Sequence, residues 1–105
     1  MDKSSDFVPY YAVIFTSIQN EEVEGYSEMA NYMQLLAEKQ EGYLGFESAR
    51  NELGISVSYW KSVEDIKKWK QQSEHHLAQK FGKAKWYRFY KVRICKVERE
   101  YEQGA

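Results

Sequence analysis

Four stretches of the chain have the dense apolar and aromatic pattern that is typical of strands. Residues 10–18 are nearly all apolar and most are β-branched or aromatic, which predicts a strand buried on both faces. Residues 43–50 and 55–60 predict two more strands, and the four residues between them are few enough for a hairpin. A long final strand is predicted over residues 86–99.

Two further stretches place apolar residues three and four positions apart, which is helical spacing. The first covers residues 23–40, with Asn20 as a candidate N-cap. Its apolar positions are Tyr26, Met29, Ala30, Met33, Leu36 and Ala37. The second begins at Ser62, with Asp65 three residues later as in a capping box, and is predicted to stop at Gly82.

The resulting order, βαββαβ, is that of an α+β ferredoxin-like fold with a four-stranded antiparallel sheet. Two helices cover only one face of such a sheet, so the other face should be polar in a monomer. Both faces of the first strand are instead apolar, with Tyr10, Ala12 and Ile14 opposite to Tyr11, Val13 and Phe15. In the last strand the alternation sets Trp86, Tyr90, Val92 and Ile94 against Tyr87, Phe89, Cys95 and Val97. We therefore expect a second copy to cover the open face, which makes a homodimer.

The size and composition are those of one domain, spanning residues 1–105 with a core of about 10–99. The chain has 105 residues, and its 16% aromatic content excludes disorder for the body of the chain. One Cys and two His are too few for an internal disulfide or a zinc cage, so we predict no metal site. The sequence shows neither a signal-peptide pattern nor an apolar stretch of the ~20 residues that span a bilayer. We therefore expect a cytoplasmic protein with no membrane partner.

The charges are unevenly distributed along the chain. Residues 1–60 hold ten acidic and three basic residues, whereas residues 61–105 hold six acidic and twelve basic residues. A basic half can indicate a nucleic-acid partner, but acidic residues are interspersed among these bases. The pattern favours solvated faces and attraction between halves or subunits. We predict no nucleic-acid binding.

Candidate chemistry is concentrated in the second predicted helix. His75 and His76 are the only histidines, and neither has a partner at metal-binding spacing. On a helix His76 shares the side of Trp69, while His75 points about a third of a turn away. One of them could be a haem ligand or a proton carrier, or both could be exposed residues near a helix end. Cys95, inside an apolar strand, is predicted to be a packed and inert thiol.

One segment resembles the antibiotic biosynthesis monooxygenase family. The residues concerned are 58–70 (SYWKSVEDIKKWK), followed by the Glu74-His75 pair, Ala78-Gln79 and Gly82. In that family a Tyr-Trp strand end leads into a Ser-capped helix with a second Trp, a Glu-His pair and a Gly. The resemblance extends over roughly residues 10–99 and implies a dimeric α+β barrel.

The resemblance implies one of two activities. One branch of the family oxidises polycyclic phenols and quinols with O2 and without metal or flavin, in a pocket that excludes water and positions the ring. Another branch binds haem through a helix histidine and degrades it, with a helix Trp and a strand Asn near the haem. Trp69 matches that Trp, and His75 and His76 both fall a few residues before the expected histidine. The Asn is missing, because the first strand reads Ile14-Phe15-Thr16 there.

We therefore interpret the chain as a small monooxygenase that needs no cofactor and oxidises an aromatic or quinone-like compound. The predicted catalytic residues are His75 and His76, either of which could be the base, and Trp69. The predicted substrate-binding residues are Phe15, Tyr59, Trp60, Tyr87 and Tyr90. Two alternatives stay open, namely a haem-binding or haem-degrading protein, and a dimeric ligand-binding or stress module without catalysis.

Overall fold

The computed structural model describes residues 6–82 and 85–104 and confirms the predicted element order. The elements are β1 (Tyr10–Gln19), α1 (Tyr26–Glu38), β2 (Tyr43–Arg50), β3 (Gly54–Trp60), α2 (Val63–Phe81) and β4 (Tyr87–Val97). The four strands form one antiparallel sheet in the order β2-β3-β1-β4, so β1 is central and β4 is an edge. This is the α+β ferredoxin-like fold.

The start of α1 differs from the prediction. The helix begins at Tyr26, and its N-cap is Gly25 with φ of 81°, a conformation that glycine adopts without steric cost. Asn20 does not cap the helix, because its side-chain amide donates to the Lys85 carbonyl oxygen (2.8 Å). Asn20 instead connects the end of β1 to the segment that leads into β4.

Both ends of α2 agree with the prediction. The Ser62 hydroxyl accepts a hydrogen bond from the Asp65 backbone N–H (3.1 Å) and donates one to the Asp65 carboxylate (2.8 Å). At the other end Gly82 has φ of 66° and follows the last helical residue, Phe81. The serine cap and the terminal glycine therefore set the length of this helix.

A register shift changes which side chains of β4 share a face. Ile18 pairs with Phe89, but Gln19 pairs with Tyr87, so Arg88 is skipped. Strict alternation had predicted Tyr87 and Tyr90 on opposite faces. This prediction was wrong, because the extra residue turns both rings toward Phe15 (5.2 and 5.4 Å between ring centroids).

The helices cover only part of one sheet face. Their main sheet contacts are with β2 and β3, and the buried core there is Ala37, Trp60 and Ile66. On the same sheet face, Tyr90 (61% exposed) and Ile94 (55% exposed) of β4 are not covered by either helix. The two-sided burial predicted for the first strand is therefore not seen in the single chain, where β1 is mostly half-buried.

The sheet face opposite the helices is open in the single chain. Ile55 and Phe89 are exposed there, and so is Cys95, which lies opposite Ala12. The prediction of a packed Cys95 was therefore wrong for the isolated chain, since neither helix reaches that face.

Candidate functional site

The predicted site residues fall into separate places in the fold. Trp60 and Trp69 lie in the core between sheet and helices, whereas His76 lies between the helices and the neighbouring His75 is exposed. Phe15, Tyr87 and Tyr90 lie together on the helix-facing side of β1 and β4, whereas Tyr59 is on the opposite sheet face. The structure thus brings together three of the residues predicted to bind substrate.

The two tryptophans form a stack in the core. Trp60 has no exposed surface, and its ring stacks on Trp69 (5.7 Å, 24° between planes) and meets Tyr43 edge-on (5.7 Å). The Trp60 indole N–H donates to the Ser58 hydroxyl (2.9 Å). These contacts hold the end of β3 against α2 and place Trp60 out of reach of solvent.

The two histidines lie in adjacent positions with different surroundings. His76 is half-buried, and its Nδ1 lies 3.1 Å from the Tyr32 hydroxyl of α1. His75 is exposed and its ring meets that of His76 edge-on (5.6 Å). Tyr32 also packs edge-on against Phe81 (5.9 Å). His76 therefore lies at the contact between α1 and α2, His75 faces solvent beside it, and a catalytic role for either stays a prediction.

Four aromatic residues form what we call the aromatic cluster: Phe15, Tyr26, Tyr87 and Tyr90. Phe15 stacks nearly parallel to Tyr90 (5.4 Å, 16°) and meets Tyr87 edge-on. Tyr26 of α1 meets Tyr87 edge-on (5.8 Å), and the Tyr87 hydroxyl donates to the Tyr26 hydroxyl (3.4 Å). Burial and this hydrogen bond raise the pKa of Tyr87, so the phenol stays protonated. The cluster joins flat apolar surface to a pair of hydroxyl groups.

Arg50 borders the aromatic cluster, and sequence analysis missed it. Its guanidinium donates to the carbonyl oxygen (3.5 Å) and the hydroxyl of Ser17, and to the Tyr26 hydroxyl (3.5 Å). The guanidinium carbon also lies over the Tyr26 ring (5.6 Å from its centroid). Two features of the sequence could have pointed to it. Arg50 is the one basic residue between Lys39 and Lys61, and it stands across the predicted hairpin loop from Gly54. Its contact with Ser17 joins residues 33 positions apart in sequence, which no local pattern reports.

Tyr59 belongs to a different group on the open sheet face. Its hydroxyl donates to the Glu47 carboxylate, and its ring meets that of Tyr10 edge-on (5.8 Å). The Tyr10 hydroxyl donates in turn to Glu100. The hydrogen bond to Glu47, with some burial, raises the pKa of Tyr59 to about 12. Tyr59, which is predicted to bind substrate, therefore lies on the sheet face opposite to the aromatic cluster.

An open depression of about 430 Å³ lies at the end of β1. Polar and charged residues line it: Gln19, Asn20, Glu21, Glu22, Lys85 and Arg88. It includes none of the predicted site residues. Within residues 6–82 and 85–104, no group of three or more His, Cys, Asp or Glu side chains is arranged to hold a metal ion. No helix in those residues is long and apolar enough to cross a membrane.

Comparison with known families places these features in context. The family model for antibiotic biosynthesis monooxygenases matches residues 9–80. The chain belongs to the antibiotic biosynthesis monooxygenase family. A relative, the uncharacterized protein YqjZ of Bacillus subtilis (strain 168), is 47% identical over 94 residues, which cover 88% of this chain and 82% of that protein.

Two solved structures with the same fold come from proteins with contrasting descriptions. A mutant of SnoaB, described as a cofactor-independent oxygenase from Streptomyces nogalater, has a TM-score of 0.69 at 7% identity, covering 92% of this chain and 100% of that chain. A mutant of MhuD, solved with two manganese protoporphyrin IX molecules per active site, has a TM-score of 0.63 at 17% identity, covering 90% of this chain and 99% of that chain. At these identities the likeness shows the fold alone. A monooxygenase-like role is supported by the family.

Proposed function

We propose that the protein is a cofactor-independent monooxygenase that oxidises a flat phenolic or quinone-like compound with O2. The observation that carries this proposal is the aromatic cluster beside Arg50, on a part of the sheet that the helices leave uncovered. SnoaB, with the same fold, is described as a cofactor-independent oxygenase. The proposal extends that chemistry to this chain.

The aromatic cluster suits a planar ligand. Tyr90 is 61% exposed and, with Phe15 behind it, offers a flat apolar surface beside Val92 (48% exposed). Aromatic rings gain about 0.5–1.5 kcal/mol per stacked or edge-on pair beyond the area that they bury. The Tyr87 and Tyr26 hydroxyls, held together at 3.4 Å, can orient an oxygen atom of the substrate. The site therefore combines binding surface with a means of fixing orientation.

The proposed reaction needs only a base, O2 and positioning. A ring CH2 that is conjugated with a carbonyl, as in an anthrone, loses a proton to the base, and the carbanion gives one electron to O2. The substrate radical and superoxide combine to a peroxide anion, which takes the proton back from the base to become a hydroperoxide. The hydroperoxide then loses water. The CH2 group becomes C=O, one oxygen atom enters the product and the other leaves as water. The protein contributes the base and the orientation of the ring.

For the base we propose His75 or His76, because histidine is the side chain that most often acts as a general base in enzymes. His75 is exposed, while His76 is held at Nδ1 by Tyr32. Loss of a general base typically lowers the rate ~10²- to 10⁴-fold. We expect a fall of this size for the double variant His75→Ala/His76→Ala, and unchanged turnover would rule both residues out as the base.

Oxygen uptake in the presence of dithranol and of anthrone tests the proposed activity, because both carry a ring CH2 conjugated with a carbonyl. We expect uptake above the uncatalysed rate for at least one of them, and a fall of about tenfold in kcat/KM for Tyr90→Ala, the size of one lost ring contact. Tyr101→Ala is the matched control, since Tyr101 is 86% exposed and lies outside the elements. Saturable binding of both compounds without oxygen uptake would instead favour a ligand-binding module.

We also propose that the active form is a cytoplasmic homodimer in which a second copy covers the open sheet face. Ile55 (43% exposed) and Phe89 (47% exposed) lie on this face, next to Cys95. Covering such residues recovers ~25 cal/mol per Å² of apolar surface. Sedimentation should give the mass of two chains for the wild type and of one chain for Phe89→Glu, with Val8→Glu as control. A wild type that stays monomeric at high concentration would contradict the dimer.

Haem binding is the second candidate, and His76 is the observation that favours it. A hydrogen bond at one ring nitrogen commonly orients a histidine that binds iron through the other, and Tyr32 lies 3.1 Å from Nδ1 of His76. The half-buried His76 would hold the haem, which would supply the iron that activates O2. A haemin titration should then give a stoichiometric Soret band that His76→Ala removes and Lys80→Ala keeps. If the wild type shows no band, haem binding is excluded.

A further inference from the structure

We infer that Arg50 is an anion-recognition group, so that the compound bound at the aromatic cluster carries an anionic oxygen, a carboxylate or a phenolate, beside its ring. The inference rests on the proposed function for the position of the ligand, and it adds the chemical class of that ligand. It makes Arg50 a specificity-determining residue.

The guanidinium is held in place by groups that carry no negative charge. Ser17, which has no exposed surface, accepts from it through both its carbonyl oxygen and its hydroxyl. Tyr26 accepts a third hydrogen bond through its hydroxyl. A guanidinium has five N–H donors, so these three bonds fix its plane and leave donors for a ligand. A preorganised guanidinium loses little entropy when it binds.

Gly54 provides the space for this arrangement. Arg50 and Gly54 pair across the β2–β3 hairpin, and Gly54 is buried. A Cβ atom added at Gly54 would overlap the guanidinium group of Arg50. The guanidinium therefore lies flat over a backbone position that only glycine leaves free, and an alanine there would displace it.

No carboxylate neutralises Arg50 within the described part of the chain. The ion pairs there are Lys67–Glu64 and Lys68–Glu41, both on the surface and away from Arg50. A cation fixed by neutral groups and left without a counter-ion attracts an anion. Charge-assisted hydrogen bonds of arginine to a carboxylate are about twice as strong as neutral ones and are frequently bidentate.

Direct contacts link Arg50 to the aromatic cluster. Arg50 contacts Tyr26, the Tyr26 hydroxyl bonds to that of Tyr87, and Tyr87 packs on Phe15. Ser17 pairs with Tyr90 in the sheet, so the residue that holds the guanidinium is beside the ring that stacks on Phe15. An aromatic ring on the cluster would therefore bring a substituent oxygen to Arg50.

The test compares 2-naphthoate with 2-naphthamide, which have the same ring and differ in charge. Affinities are measured by equilibrium dialysis on the full chain at neutral pH and low salt. We expect the wild type to bind naphthoate about tenfold more tightly than naphthamide, because one charge-assisted hydrogen bond gives a difference of this size. Arg50→Gln should abolish the preference, because naphthoate then loses its charge-assisted hydrogen bond. Arg99→Gln, which removes the same charge outside the elements, should keep the preference.

Gly54→Ala separates geometry from charge, because it keeps the arginine and moves its head group. We expect it to lose the preference as Arg50→Gln does, and circular dichroism spectra should show that both variants are folded. Equal affinities for the two probes in the wild type, absence of naphthoate binding, or a preference that survives Arg50→Gln would each overturn the inference.

The outcomes also separate this inference from the proposed function. An Arg50-dependent preference without oxygen uptake from either anthrone would refute the oxygenase proposal and leave the anion site standing. Oxygen uptake whose kcat/KM is the same in the wild type and in Arg50→Gln, with anionic and neutral substrates alike, would refute the role of Arg50 and leave the oxygenase proposal standing.

Discussion

The sharpest test of the packing concerns Trp60, which sequence analysis predicts to bind substrate and which the structure buries completely. Truncation to alanine removes a ring that contacts Trp69 and Tyr43 (each 5.7 Å between centroids) and leaves the Ser58 hydroxyl without its indole donor. Phe or Trp to Ala in a core costs about 3–5 kcal/mol. We expect about 4 kcal/mol for Trp60→Ala, a large part of the roughly 5–15 kcal/mol that stabilises a typical domain.

Trp60→Phe is the graded variant. It keeps an aromatic ring but loses the hydrogen bond to Ser58, which lowers the free energy of unfolding by about 1 kcal/mol. The smaller ring lowers it by a similar amount. We therefore expect a total loss of about 2 kcal/mol. If Trp60 acts through packing and not through ligand contact, Trp60→Ala should lose more unfolding free energy than Trp60→Phe.

The assay is urea unfolding followed by far-ultraviolet circular dichroism at one protein concentration, because association would make stability depend on concentration. Tyr101→Ala serves as control and should change the free energy of unfolding by less than about 0.5 kcal/mol, since Tyr101 is 86% exposed. If the free energy of unfolding of Trp60→Ala lies within about 0.5 kcal/mol of the wild-type value, the burial argument is refuted.

Three further predictions follow from local geometry. Ser62→Ala should lower the free energy of unfolding by about 1 kcal/mol, measured in urea, because the Asp65 N–H loses its capping acceptor; an unchanged midpoint would contradict the cap. Gly42→Ala should lower the free energy of unfolding by at least about 1–2 kcal/mol, and with it the melting temperature. The reason is that Gly42 has φ of 84° and that an added Cβ would overlap the Asp65 side chain. An unchanged melting temperature would refute this argument. The pKa of Tyr59 is raised in the folded state from 10.0 to about 12, so its stabilising contribution is fully present below pH 10 and is lost as the pH rises from 10 to about 12. Tyr59→Phe should remove this part of the alkaline loss, as seen by comparing urea midpoints across that pH range, and identical pH profiles for the two proteins would contradict the assignment.

The element order and the boundaries of α2 follow from local sequence signals. Alternation and β-branched content depend on neighbours one or two positions apart, and helical spacing depends on neighbours three or four apart. Ser62 and Gly82 act within a single turn, so their effect is visible without the fold. The start of α1 was predicted less well, because Asn20 has a partner, Lys85, that is 65 positions away.

The candidate site depends on relations that the sequence does not display. The residue skipped at Arg88 turns Tyr87 toward Phe15, and this follows from pairing between two strands far apart in the chain. Trp60 stacks on Trp69 of another element, which no local pattern reports. The opposite placement of Tyr59 and Trp60, in contrast, follows from alternation along one strand and was available from the sequence. Residue type alone had placed these residues in one site.

The sequence by itself determined the fold class, the family and the presence of many aromatic side chains with two helical histidines. Each of these depends on composition, on short-range periodicity or on a motif within one segment. The tertiary structure decided which aromatic rings meet, that Trp60 is core, and that Arg50 is held by Ser17 over Gly54. Those contacts join β1, α1 and the β2–β3 hairpin, and only the folded sheet brings these segments together.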